Sequence, residues 1–145
     1  MRRIFALVLL CMLPAGSFAQ SSLTIDKLER TSLAQSKNEV AFSALLEGTI
    51  GDPNLEVFVF VHQPRVNRWR PFPATTDFKP EASGRYRWRA LCLFGELNGK
   101  GVGDSHQVRV MAFDHQTARK GLPEVSASAA IAAAKTEVIV LKRVK

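Results

Sequence analysis

The chain has 145 residues, 46% apolar and 23% charged, which is close to the globular average and excludes disordered, collagenous and coiled-coil classes. Twenty Lys and Arg against 13 Asp and Glu give a formal charge of +7. A chain of this size is too short for a multidomain enzyme, yet it can bury a core without disulfides or metals.

Met1-Arg2-Arg3 reads as a positive n-region, residues 4–13 as an apolar h-region, and Ser17-Phe18-Ala19 as a small-x-small cleavage site before Gln20. An apolar run of this length falls well short of the roughly 20 residues that span a bilayer core. Residues 1–19 are therefore expected to be a cleaved signal peptide, and residues 20–145 a single exported domain, periplasmic or extracellular. Cys11 lacks the small residue that a lipoprotein site wants just before it, and Arg2-Arg3 lacks the polar context of a twin-arginine signal. Removing the leader takes away two arginines, so 18 positives face 13 negatives and the net charge becomes +5.

Cys92 is then the only cysteine left, and no internal disulfide can form. It shares its parity with Tyr86, Trp88, Ala90 and Phe94, which places it in the core as a small, inert hydrophobe.

Alternation at period two governs residues 23–114. Leu23 and Ile25 open a first short strand. Val40, Phe42, Ala44 and Leu46 mark a second, running to Ile50 and the turn Gly51-Asp52-Pro53-Asn54. Residues 55–62 are apolar on both parities, as in a central strand covered on both faces. Residues 67–72 form a short strand whose Pro71, with Pro73 just beyond, suits an edge. Glu81-Ala82-Ser83-Gly84 turns the chain into a long strand over 85–94. A Gly-rich connection over 95–103 leads to a strand over 106–114. Residues 116–135 are less regular, with an alanine run that fits a helical turn or two or an apolar crossover loop. The last strand covers 136–144. About seven strands without a long helix predict an all-β, antiparallel immunoglobulin-like sandwich.

Trp69-Arg70-Pro71-Phe72-Pro73, then Gly84-Arg85-Tyr86-Arg87-Trp88, then the Gly-rich loop before Val108-Arg109-Val110-Met111-Ala112 resemble exported bacterial immunoglobulin-like or fibronectin-III-like modules. The resemblance spans about residues 55–115, and the inter-sheet cysteine pair of antibody-type domains is missing. It implies a binding or spacer module and carries over no catalytic residue.

Charge concentrates in residues 61–90, where Arg65, Arg68, Arg70, Lys79, Arg85, Arg87 and Arg89 outnumber Asp77 and Glu81. Arg85, Arg87 and Arg89 share a parity, so they project about 7 Å apart from one strand face while Tyr86 and Trp88 point inward. If strand 67–72 pairs beside this one, Arg68 and Arg70 join that face, with Trp69 opposite. Arg68, Arg70, Arg85, Arg87, Arg89 and Trp69 are the expected binding residues. Arginine favours bidentate contact with phosphate or carboxylate. The expected partner is an anionic envelope component such as lipopolysaccharide or acidic polysaccharide, or an acidic protein. The competing reading is a solvated face whose stems cover apolar surface. Nucleic acid is disfavoured, since no recognised motif is present. The terminal Lys142-Arg143-Val144-Lys145 reads as a solvated tail. Trp88 reads as core. Trp69 fits the core, or a half-exposed ring able to stack on a sugar.

No catalytic constellation emerges. Gly99-Lys100-Gly101-Val102-Gly103 precedes a strand rather than a helix, so it is expected to be a flexible connection and not a phosphate loop. Asp104-Ser105-His106 are consecutive in an extended segment and point apart. His62, His106 and His115 have no metal-ligand spacing, and no cofactor is expected. Asp114-His115 reads as a turn signal. Two rivals to the non-enzymatic binding module remain. One is a structural subunit docking onto an envelope complex by lending an edge strand. The other is an enzyme assembled from distant residues such as His62, His106 and Asp114.

Overall fold

The computed structural model describes residues 22–122 and 125–144. The signal-peptide reading of 1–19 falls outside the described residues, as does Lys145. Two sheets carry the fold. In the first, β1 (Lys27–Leu28), β2 (Thr31–Ser32), β4 (Ser43–Ile50), β7 (Thr75–Thr76) and β8 (Tyr86–Leu93) lie in the order β2-β1-β4-β8-β7. In the second, β3 (Glu39–Val40), β5 (Glu56–Gln63), β6 (Arg68–Pro73), β9 (Ser105–Phe113) and β11 (Ile139–Arg143) run β3-β11-β9-β5-β6, and β10 (Ala134–Lys135) also pairs with β9. Every pairing is antiparallel except β3 with β11.

The described residues thus hold eleven strands rather than about seven, and five of them are two residues long. The difference arises where one alternating run changes partner. Val40 pairs with Arg143 in the second sheet, whereas Ser43 onward pairs with β8 in the first. Val40, Ala44 and Leu46 are all buried, so period-two alternation continues across the switch and conceals it. Near the start, Leu23 makes only an isolated bridge to Ile50, and the regular strand begins at Lys27.

The inner faces meet in one core. Ala44, Leu46 and Ile50 of β4 and Trp88, Ala90 and Cys92 of β8 pack with Val57, Val59 and Val61 of β5, Val108, Val110 and Ala112 of β9, and Leu141. Gly48 sits opposite Trp88 and leaves room for the indole, whose Nε1 donates to the Thr24 carbonyl at 3.1 Å.

A second cluster of Phe60, Met111 and Phe113 lies on the outer side of the second sheet. Ala118 of α1 (His115–Arg119), Leu122 and Ala129 of α2 (Val125–Ile131) pack against it. This cover explains why residues 55–62 are apolar on both parities. Asp114 caps α1, accepting from the Thr117 N–H at 2.9 Å and the Thr117 hydroxyl at 2.7 Å. The irregular stretch 116–135 therefore contains two short helices, with residues 123 and 124 outside the described set. Among the described residues no helix is long and apolar enough to cross a membrane.

Candidate functional site

The arginines expected to share one face are divided between the two sheets. Arg87 and Arg89 project from the outer face of β8, as their parity predicts, beside Thr49 and Glu47 of β4. There they are neutralised. Arg87 Nε donates to Glu81 Oε1 at 2.5 Å, and Arg89 holds Asp77 through Nη1 and Nη2 at 2.9 and 3.3 Å, with Glu47 at 3.4 Å. Arg85 lies just before β8 and ties the N-terminal segment to β4, donating from Nε to the Thr49 hydroxyl at 2.6 Å and from Nη1 to the Ser22 hydroxyl. Five partner residues of this kind make the guanidiniums of Arg85, Arg87 and Arg89 structural bolts between β8 and its surroundings. Trp88 is fully buried, as expected.

Strand β6 does not pair beside β8; it is the edge strand next to β5, with Val61 opposite Arg70 and Gln63 opposite Arg68. Arg68, Arg70 and Phe72 follow the inward parity of Val59 and Val61, so the two arginines sit at the rim between the sheets. Trp69 has the opposite parity. It is half-buried against the outer cluster and tilts over His62 at 5.2 Å between ring centroids. Arg68 and Arg70 are exposed, and neither has a carboxylate in salt-bridge range among the described residues. The Arg70 guanidinium lies over its neighbour Phe72, 5.7 Å from the ring centroid.

These residues border a cavity of about 340 Å³ at one end of the two sheets, where the β5–β6 hairpin meets the Gly-rich loop. Arg65, Arg68, Trp69, Arg70, Lys100 and His106 line it, together with Glu96 and Asp104. Four permanent cations thus face two carboxylates. One of the two is engaged, because Arg65 Nε donates to Asp104 Oδ2 at 2.6 Å. That hydrogen bond holds the Asp104 carboxyl below its ordinary range.

The Gly-rich loop forms the opposite wall, and it is pinned rather than slack. Gln63 bridges to it with both ends of its amide, donating to the Leu93 carbonyl at 3.1 Å and accepting from the Gly95 N–H at 3.0 Å. Arg143 Nη1 donates to the carbonyls of Glu96 and Lys100 at 2.9 and 2.8 Å. Gly95 is required here. Its φ of 82° is left-handed, and a Cβ would stand 2.6 Å from that same nitrogen. The solvated-tail reading of Arg143 is corrected: the side chain is only 2% exposed, because β11 turns Leu141 and Arg143 inward together.

His106 is the most unusual member of the wall. It follows the inward parity of Val108 and Val110, is completely buried, and meets the Phe94 ring edge-on at 5.5 Å. Nδ1 lies 2.9 Å from the His62 carbonyl, which can only accept, so the ring proton sits on Nδ1 and Nε2 is a bare acceptor. Burial lowers the imidazole pKa below its ordinary value, which keeps the ring neutral at pH 7. No described group hydrogen-bonds to that buried Nε2.

No family model, curated protein or solved structure matches the chain.

The remaining candidates separate. Asp114 is the α1 cap at the far end of β9 from His106, and His115 pairs with Glu56, so His62, His106 and Asp114 do not converge. Among the described residues no three His, Cys, Asp or Glu groups gather as metal ligands. Cys92 is a buried free thiol whose pKa is pushed up to about 12 by desolvation. Sequence reasoning missed the cavity itself, and with it the joint placement of Lys100, Asp104 and His106 beside β6. The one available signal was the parity that His106 shares with Val108 and Val110.

Proposed function

We propose that this chain is an exported, non-enzymatic binding module of immunoglobulin-like architecture that holds an acidic partner at the end cavity. Arg68, Arg70 and Lys100 are the contact cations, and Arg65, locked to Asp104, shapes the rim. The supporting observation is the charge imbalance of a concave site: three cations there have no carboxylate in salt-bridge range among the described residues, whereas Arg87 and Arg89 on β8 are already paired. Its volume of about 340 Å³ falls within the range of small-ligand pockets, roughly 300–1,000 Å³. The cavity admits a single acidic group or sugar unit of a larger partner such as lipopolysaccharide or an acidic polysaccharide.

Retention on immobilised heparin and on lipopolysaccharide, followed across a salt gradient, tests this function. Exposed cations are screened over about 8 Å at physiological ionic strength, so retention falls with salt. R68S/R70S elutes earlier than wild type, and a folded R87S/R89S variant elutes close to it. Unchanged retention of folded R68S/R70S refutes the assignment. The rival docking role by strand donation has less support, since β2, β3 and β7 are two-residue edges and the β6 edge carries Pro71 and Pro73.

A further inference from the structure

The cavity carries more than charge at its mouth. It lies between two loops, the β5–β6 turn at residues 64–67 and the Gly-rich loop at 95–103, and both hold aliphatic side chains in solvent. Val66 is 61% exposed, Leu97 82% and Val102 50%. Val66 borders the cavity directly, and Leu97 follows Glu96 in the segment that ends at Lys100, two residues that also border it.

These exposures are built in. The Leu97 turn closes on itself: the Glu96 N–H donates to the Lys100 carbonyl at 3.3 Å, Asn98 Nδ2 to the Glu96 carboxylate at 3.2 Å, and the Lys100 N–H to Asn98 Oδ1 at 3.1 Å. Arg143 fixes the Glu96 and Lys100 carbonyls as well. The N–H groups of Val102 and Val66 donate to the Gly99 and Gln63 carbonyls at 3.4 and 3.3 Å. Backbone groups that are already bonded leave water at small cost, while the aliphatic side chains gain by leaving it.

Beside these tips stand Arg68, Arg70 and Lys100, without a carboxylate in salt-bridge range among the described residues. Asp104 is engaged by Arg65, and Glu96 alone does not offset the remaining cations. A soluble polyanion uses the cations and leaves the aliphatic tips in water. A bilayer surface with anionic headgroups matches both features, since phosphates meet the cations while the tips enter the boundary between headgroups and acyl chains. Resting on the anion-binding function above, we propose that the acidic partner is an anionic lipid surface. Arg68, Arg70 and Lys100 engage its phosphates, and Val66, Leu97 and Val102 insert beneath them.

Vesicle sedimentation tests this with the chain from Gln20 onward, which retains every described strand and helix. Wild type binds vesicles of equal parts phosphatidylglycerol and phosphatidylcholine and binds pure phosphatidylcholine far less. V66S/L97S/V102S, altered only at exposed positions, loses vesicle affinity by about tenfold or more, the scale of one buried aliphatic side chain. It elutes from heparin like wild type. R68S/R70S weakens on both, by about fivefold per cation on vesicles. A second readout comes from Leu97→Cys carrying an environment-sensitive dye, which labels selectively because Cys92 is buried. The dye emission shifts to the blue with mixed vesicles and stays in place with heparin. Wild-type vesicle affinity in folded V66S/L97S/V102S, or an unshifted dye, overturns the lipid assignment and leaves anion binding standing. Wild type that is retained on heparin but ignores mixed vesicles also overturns it and makes a soluble polyanion the partner. Wild type that holds neither heparin, lipopolysaccharide nor vesicles removes the binding function itself.

Discussion

Gly48→Ala is the sharpest probe of how the first sheet is locked. A Cβ at this position would stand 1.8 Å from the Thr24 carbonyl oxygen and 2.6 Å from Trp88 Cζ2. Neither neighbour can yield freely. The oxygen belongs to backbone and receives the Trp88 indole N–H at 3.1 Å, while Thr24 is held to Thr49 by its N–H at 3.0 Å and its hydroxyl at 3.1 Å. Overpacking of a tight core costs about 1–3 kcal/mol. Displacing Thr24 also strands a buried indole N–H, at about 1–3 kcal/mol. These overlap, because one shift relieves the clash and breaks the bond, so about 3 kcal/mol is expected. For a domain of this size that lowers the melting temperature by about 10 °C. Urea unfolding followed by tryptophan fluorescence and far-ultraviolet circular dichroism measures it. In a Trp88→Phe background the added cost of Gly48→Ala shrinks by about 1 kcal/mol, since the hydrogen bond is already gone. A midpoint shift under about 0.5 kcal/mol for Gly48→Ala, or no coupling to Trp88, would show that this packing account is mistaken.

Two further predictions concern titration. The folded pKa of His106 lies below its ordinary 6.5, chiefly through burial, with the hydrogen bond to the His62 carbonyl and the charge of Asp104 opposing the shift and Arg143 adding to it. The unfolded chain then binds the extra proton first, so this residue's stabilising contribution is complete above about pH 6.5 and is lost as pH falls toward the folded pKa. The stability difference between wild type and His106→Phe therefore narrows across that window, and a difference independent of pH between 7.5 and 5 contradicts it. Cys92, with its thiol pushed up to about 12, resists alkylation by iodoacetamide at pH 8 until the domain opens. Its labelling rate rises with urea in parallel with global unfolding, and rapid labelling of native protein would disprove its burial.

Much of the strand layout was readable because inward residues are apolar at period two. β5, β6, β8 and β9 begin and end within two residues of their expected bounds, and Trp88 and Cys92 lie in the core as their parity demands. The covered outer face of β5 was legible from Phe58 and Phe60, although the helices that cover it were not. Alternation reports inside against outside, however, and is silent about which sheet a strand joins. Val40 and Ala44 therefore read as one strand, and Arg68 and Arg70 as neighbours of Arg87, when β6 lies across β5 in the other sheet. Composition counts cations without their partners. Glu47, on β4 and 42 residues before Arg89 in the chain, becomes its partner only once β4 and β8 pair. Arg143 defeated the solvated-tail expectation for a related reason. Polarity suggested solvent, while the strand period placed its side chain with Leu141 on the inward face.

The suspension of the Gly-rich loop from Arg143 has a consequence in time. Its two bonds reach back 47 and 43 residues along the chain, and they form only after β11 has docked on β9. Contacts of such long sequence separation are slow to close. A nascent or half-assembled molecule would bear the same arginines on its hairpin but lack the opposite wall of the cavity, so the proposed anion binding would serve as a certificate of completed folding.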